Sequence, residues 1–430
     1  MSETRPESPI QRVIKRLMLV EPNEIRATVL SFLFVFILFS AYFIIRPARD
    51  AMASDWSRVD TSLLWTMTFF DSIVAVSVYG FIIARVRFSR VVPGTYIVFA
   101  ILFVAFYVGT QGAANSTLID KTFYVWLSVF SLFHASVFWS FMSGTFSNKQ
   151  APRLFAIIAT GASVGSIVGS AVSGFFAEEI GEMNLILICA GLLLLTLPII
   201  GRLKVLKEID LGNQDLKADL SEAKRLGKNP FSGFSIFIKN PYLVAIGIFI
   251  LMYVAMSTFI YMELREMLAV YERAERTEIL GRIDFWVNIL VVLVAFFGTG
   301  RLATRFGMPV TLALIPLLMV GGWLVVAAMP MLAVLYGLQI FRKAGNYAVT
   351  KPGREMLFTV VDNETRYKAK PVIDIVVYRG GDMATAWFHT FLKDGLAFGL
   401  AGVAVVAAVM AGLWALAGAY LGRRYNNMKE

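Results

Sequence analysis

ATVLSFLFVFILFSAYFIIR, residues 27–46, places nineteen uncharged residues ahead of its closing arginine. At about 1.5 Å per residue this helix is long enough to cross roughly 30 Å of hydrocarbon. The polar segment before it carries Arg5, Arg12, Lys15, Arg16 and Arg26. No small-residue cleavage site follows the run, so it reads as an anchor and not a removable signal. Comparable runs recur as far as Leu421, and the whole chain of 430 residues is 57% apolar and only 16% charged. Soluble domains usually carry about a quarter charged residues, so a water-facing core is excluded, along with soluble enzyme, DNA-binding and fibrous classes. The single cysteine, Cys189, forms no intrachain disulfide and leaves the redox compartment unread.

Working outward with a window of about 20 residues, six spans are expected near 27–46, 62–84, 91–109, 123–145, 154–177 and 184–201. Six more are expected near 241–262, 283–299, 309–328, 331–349, 371–392 and 395–420. The runs are continuous rather than alternating, which selects helices over a barrel. The expected fold is therefore all-α and polytopic, with about twelve transmembrane helices in two halves. Its parts are an N-terminal segment 1–26, a six-helix bundle 27–201, a linker 202–240, a second bundle 241–420 and a tail 421–430. In the linker, Leu211, Leu216, Leu220 and Leu226 fall at near-helical spacing amid mixed charge, so a surface helix is expected there, either tethering two rocking halves or serving as a solvated spacer. Placing both termini in the cytoplasm puts 28 Lys and Arg on that side and 9 on the other, as the positive-inside rule requires. The net charge of +10 thus reports topology and the lipid bilayer as surroundings; no nucleic-acid partner is expected. Gly80 and Arg85 in GFIIARVRFSR recur as Gly300 and Arg305 in GRLATRFG, 220 residues later. Each pair follows the second span of its half. The two resemble degenerate copies of the Gly and Arg loop motif of the major facilitator superfamily, whose halves enclose a midplane site and alternate in access.

Charges inside lipid cost about 2.5–3.5 kcal/mol each on insertion scales, so each one requires a partner or a function. Arg46, Arg49 and Asp50 close the first span, where Pro47 could open the helix; they could also mark an interface and snorkel. Glu263 and Glu266 share a face of span 7 at i, i+3, and Arg49 facing Glu263 would suit either a gate or a ligand contact. Arg342 and Lys343 sit side by side in span 10, where both could face a hydrated cavity and meet phosphate oxygens. Arg379 and Asp382 flank Gly380 and Gly381 in span 11, which also holds Asp374 and His389; the pair could neutralise itself or release Arg379 to a substrate. His134 and Asp71 read best as satisfied polar groups, with proton relay as the other use. Gly161, Gly165, Gly169 and Ser173 form a small-residue seam for close helix contact. HExxH and cysteine-cluster motifs are missing, so no catalytic residue, metal site or cofactor is expected.

RPARD at 46–50, FWSFMSGTFSNKQAPRLFAIIATGASVGSIVGS from Phe138, and KPGREMLFTVVDNETRYKAKPVIDIVVYRGGD at 351–382 together resemble the ATP:ADP antiporter family of plastids and intracellular bacteria, in its bacterial nucleotide-transporter-like branch. The resemblance implies a twelve-span carrier that exchanges nucleotides, with charged residues in spans 1, 4/5, 7 and 11 handling phosphates. Arg49 stands where the family has Lys, and Glu263 matches its span 7 acid. Lys149 stands in place of the acid expected before Gln150, and Asp382 where family members carry Lys, so strict ATP:ADP exchange is not implied. The expected function is secondary transport of an anionic small molecule, a nucleotide above all, across a bacterial inner membrane. The alternative is proton-coupled transport of another organic ion or drug.

Overall fold

The computed structural model describes residues 20–85, 88–112, 116–147, 149–212, 232–297, 299–362, 369–370 and 372–429. Leu216, Leu220 and Leu226 of the expected linker helix, and the N-terminal Arg5, Arg12, Lys15 and Arg16, lie outside these. Twelve long helical stretches fall where twelve spans were expected: α1 Ile25–Met52, α2 Arg58–Arg85, α3 Phe88–Gly112, α4 Thr117–Thr145, α5 Ala151–Ile180 and α6 Glu182–Ile209, then α7 Pro241–Leu268, α8 Arg273–Phe297, α9 Thr299–Ala328, α10 Leu332–Gly345, α11 Tyr378–Thr390 and α12 Leu400–Lys429. Among the described residues eight helices are long and apolar enough to cross a membrane on composition alone, and there is no strand. The fold is an all-helical, polytopic membrane protein. Two apolar clusters fill it, one from Val20 to Leu211 and one from Tyr242 to Leu421.

Most helices run longer than the apolar windows because their ends are carried past the hydrocarbon by polar turns. α1 is the telling case. It continues unbroken through Pro47 to Met52, although proline lacks the N–H that would return to the carbonyl four residues back. That carbonyl is Phe43 O, and the Ser173 hydroxyl of α5 donates to it at 3.2 Å. Pro47 therefore leaves the helix closed, and Arg46, Arg49 and Asp50 stay on a regular helical surface instead of on an opened one. Gly307, at φ +78°, breaks α9 two residues before the expected start of its span, in a backbone region that L side chains rarely enter.

α10 and α11 are the irregular helices. A wide π turn, Asn346–Thr350, follows α10, and others, Val372–Val377 and Phe391–Gly395, flank α11. Pro352 removes the N–H that would bond Ala348 O, so the turn ahead of it widens. Such turns re-aim side chains, and these two helices carry Arg342, Lys343, Arg379 and Asp382.

The glycine seam of α5 packs against α1 within the N-terminal half. A Cβ at Gly161 would meet Phe32 O at 2.6 Å, and one at Gly165 would run into the backbone carbonyl of Phe36. Close approach of two backbones is what these glycines permit. Gly165→Ala should therefore lower the stability of the purified protein by at least about 1–3 kcal/mol, read as a fall in apparent Tm. An unshifted Tm would mean that α1 and α5 can part at no cost.

Candidate functional site

A cavity of about 690 Å³ lies between the two halves. α1, α2, α4 and α5 supply one wall; α7, α8, α10 and α11 supply most of the other. At the end of the bundle opposite the termini the halves are clasped together. The α5–α8 crossing brings backbone on backbone, since a Cβ on Gly281 would meet Gly174 N at 2.5 Å, and Arg282 Nε donates to Gly174 O at 2.7 Å. Ser62 of α2 and Thr390 of α11 share a hydrogen bond at 3.0 Å. Arg58 reaches Glu266 at 2.5 Å and also Asp394. Arg273 and Arg276 bond Asp55, and Arg273 also bonds Asp120. Arg265, 4% exposed, donates to Ala53 O, Trp56 O and Thr61 Oγ1 at 2.6–2.8 Å. Ahead of span 2, Lys121 and Ser57 hold the Asp60 carboxyl below the usual carboxylate range, so Asp60 itself stays ionised at neutral pH. Deeper along α5 and α8, Asn288 donates to Ser166 O at 3.3 Å; towards the termini, Ala162, Ser163, Val291 and Val292 become cavity wall.

Seven cationic side chains line this cavity, Arg46, Arg49, Arg265, Arg342, Lys343, Lys351 and Arg379, against two carboxylates, Asp50 and Asp382. Most of the cations already have fixed partners. Arg49 donates to Asp50 Oδ1 at 2.5 and 3.0 Å and to Ser128 Oγ at 3.1 Å, with its guanidinium over the Tyr124 ring. Arg379 pairs with Asp382 at 3.7 Å within α11. Lys343 donates to Asp284 at 2.6 Å. Arg342 differs. It is 2% exposed, donates to Gln339 Oε1 at 3.0 and 3.1 Å and to the Tyr253 hydroxyl at 3.4 Å, and has no carboxylate partner among the described residues. An uncompensated buried guanidinium is costly, and an anion in the cavity would offset that cost. Aromatic rings share the walls: Tyr42 stacks on His134 at 4.7 Å between centroids, and Tyr253, Tyr347 and Tyr378 face them from the other half. His134 is buried, as expected of a satisfied group, but it lines the cavity and its Nε2 has no protein partner.

Of the residues singled out in the sequence, the fold thus brings together Arg46, Arg49, Asp50, Arg342, Lys343, Arg379 and Asp382. Glu263 lies elsewhere: it is 1% exposed and its oxygens take His389 Nε2 at 2.8 Å and Lys393 at 3.2 Å, so the pairing with Arg49 does not form. Lys149 is exposed in the turn before α5, where its carbonyl accepts from Arg153 at 3.4 Å. Asp71 is exposed on α2 instead of satisfied in a core, and Asp374 sits 3.5 Å from Arg354, outside the cavity. Asp284 is the residue that the sequence did not disclose. It is a single acid one residue into an expected span, at a place where interfacial acids are ordinary.

The sequence profile described as "Major Facilitator Superfamily" matches residues 30–350. The chain is 23% identical over 348 residues to "ADP,ATP carrier protein 2" of Chlamydia trachomatis serovar D, covering 70% of this chain and 64% of that protein. It is also 23% identical over 283 residues to "ADP,ATP carrier protein 1" of Chlamydia muridarum, covering 57% of this chain and 53% of that one. The alignments therefore span less than two thirds of these relatives' length. Among solved structures, a bacterial homolog of the human lysosomal transporter Spinster, in an inward-facing and unoccupied conformation, superimposes with a TM-score of 0.58 at 13% identity, over 95% of this chain and 99% of that one. The nucleoside transporter NupG superimposes with a TM-score of 0.58 at 12% identity, over 95% and 100%. At these identities the structural likeness concerns the fold.

Proposed function

The chain belongs to the Major Facilitator Superfamily, and from that premise we propose that it is a secondary carrier for a phosphorylated anion, a nucleotide in the first place, working by alternating access. The two halves are those divided by the linker at 202–240, the membrane is a bacterial inner membrane, and both termini face the cytoplasm. With the clasp at the far end, the cavity then opens inward in this structure. The observation that carries the reading is Arg342, a buried cation without a carboxylate in a cavity where cations outnumber acids. The stacked Tyr42–His134 pair and the facing tyrosines give a flat base somewhere to lie. The ADP,ATP carriers among the relatives support the same cargo class. No cofactor or metal enters this reading, and its chemistry is binding and release. The cargo contacts are assigned to Arg46, Arg49, Arg342, Lys343 and Arg379, with Asp50 and Asp382 as their counter-ions. Glu263 is assigned to the clasp, and Lys149 keeps only its place in the resemblance.

Proteoliposome exchange tests this directly. Uptake of labelled ADP should be stimulated by ADP on the opposite side and be indifferent to an imposed pH gradient. A thermal-shift screen of nucleotides, sugar phosphates and carboxylates should rank phosphate-bearing ligands first, since a bound ligand raises Tm with its concentration. The second reading, proton-coupled transport of another organic ion, draws on the buried His389–Glu263 pair, where a hydrogen bond of 2.8 Å joins two titratable groups. Uptake driven by a pH gradient and unaffected by internal ADP would establish it in place of the first.

A further inference from the structure

Asp284 of α8 holds one cation from each half of the molecule. Its Oδ1 accepts from Lys343 of α10 at 2.6 Å, and its Oδ2 lies 3.6 Å from Arg46 Nη1 of α1. Its side chain is only 5% exposed, while Arg46 and Lys343 retain 19% and 13% and line the cavity. The two contacts are unequal. Lys343 makes a short charge-assisted hydrogen bond. Arg46 makes ion pairs, at 3.6 Å to Asp284 and 3.9 Å to Asp50, lies over the Phe43 ring, and donates no hydrogen bond among the described residues. A guanidinium fork that is drawn to a carboxylate but not engaged by it is available to a planar or tetrahedral oxyanion that can meet it bidentately.

We propose that Asp284 is a built-in counter-ion standing where the cargo's anionic group would meet Arg46, and that cargo displaces it from Arg46. This rests on the anion-carrier reading and adds a specificity-determining residue to it. A carboxylate supplies one negative charge shared between two oxygens. A ligand that takes over Arg46 must outcompete that charge, so a phosphoryl dianion or a polyphosphate is favoured and a carboxylate monoanion is turned away. Because Arg46 and Asp284 belong to opposite halves, the same contact bridges them while no cargo is bound. Its loss on binding frees the halves for the next step, which ties movement to occupancy.

Isothermal titration of the purified full-length carrier with ADP and with inorganic pyrophosphate tests this, alongside ADP exchange in proteoliposomes. Asp284→Asn removes the competitor and keeps the shape, so both probes should bind about tenfold tighter, the gain expected if the lock occupies about nine molecules in ten. Benzoate, a monoanion that the wild type should reject, should become measurable. Exchange at saturating ADP should slow, because tighter grip is not matched by release. Since this variant orphans the buried Lys343 and could fail to fold, the comparison is repeated in a Lys343→Gln background. Adding Asp284→Asn there should again tighten ADP binding several-fold over Lys343→Gln alone. Unchanged or weaker binding in both backgrounds would make Asp284 a packing anchor and overturn the proposal, while the wild type's own binding of ADP would leave the carrier reading standing. Wild-type protein and variants that all ignore ADP and pyrophosphate would remove the carrier reading and this proposal together.

Discussion

Arg342→Ala should cut uptake of a phosphate-bearing cargo by about a hundredfold or more and leave the carrier inserted and folded. The size follows from how this guanidinium is held. Gln339 and Tyr253 accept from it, and neither carries a charge, so no carboxylate among the described residues stands within ion-pair distance of it. A cargo phosphate would do so through charge-assisted hydrogen bonds in a poorly solvated wall. Truncating one partner of such a pair typically costs about 2–5 kcal/mol, and about 2.8 kcal/mol is a hundredfold. Stability should hold because the substitution removes a buried charge that had no ionic partner to strand. Arg342→Lys keeps the charge and loses the fork, and should recover part of the loss. Arg379→Ala should also lose uptake, but with a lowered Tm, because it leaves Asp382 unpaired in the cavity wall. Radiolabelled uptake beside a fluorescence-detected melt separates these outcomes. Wild-type uptake by Arg342→Ala would place the cargo elsewhere.

Helix positions were legible in the sequence because hydrocarbon thickness is a strict ruler and apolar runs answer to it locally. Where the chain leaves that ruler, the reading failed for identifiable reasons. For Arg46 and Arg49 the membrane edge stayed open beside a cargo contact because apolarity stops at Ile45, yet α1 continues to Met52 with Ser173 covering the carbonyl that Pro47 leaves free. The Arg49–Glu263 pairing was expected from two opposite charges near span ends, but His389 and Lys393 of the α11 region reach Glu263 first. Lys149 entered only through a family pattern, and no local chemistry draws an exposed lysine into a cavity. Asp284 escaped because its meaning is supplied by Lys343 and Arg46, which the fold brings to it from other helices. The cations were legible because each is costly where it stands; their pairings are tertiary facts.

A disulfide between Ser62→Cys and Thr390→Cys should abolish exchange completely and reversibly. The two hydroxyls are 3.0 Å apart and buried at the clasped end, on helices from opposite halves, so the two side chains already meet where the sulfurs would bond. On the alternating-access reading the native clasp has to open. Its outer ion pairs, Arg58 to Glu266 and Arg273 to Asp55, are partly exposed, and such pairs are each worth about 0–1 kcal/mol. Arg265 is the stronger element, buried and bonded to carbonyls of the other half, but those are hydrogen bonds that water can replace once the end parts. A covalent bond cannot be exchanged in this way. Oxidation should therefore bring proteoliposome exchange to background, and dithiothreitol should restore it. The native Cys189 is buried and donates to Ala41 O, so it offers no competing partner. Calorimetric binding should survive the cross-link, since the cavity wall towards the termini is untouched by it. Exchange that continues with the bond intact would mean that this end never separates, and the two halves would then have no means of passing a cargo between them.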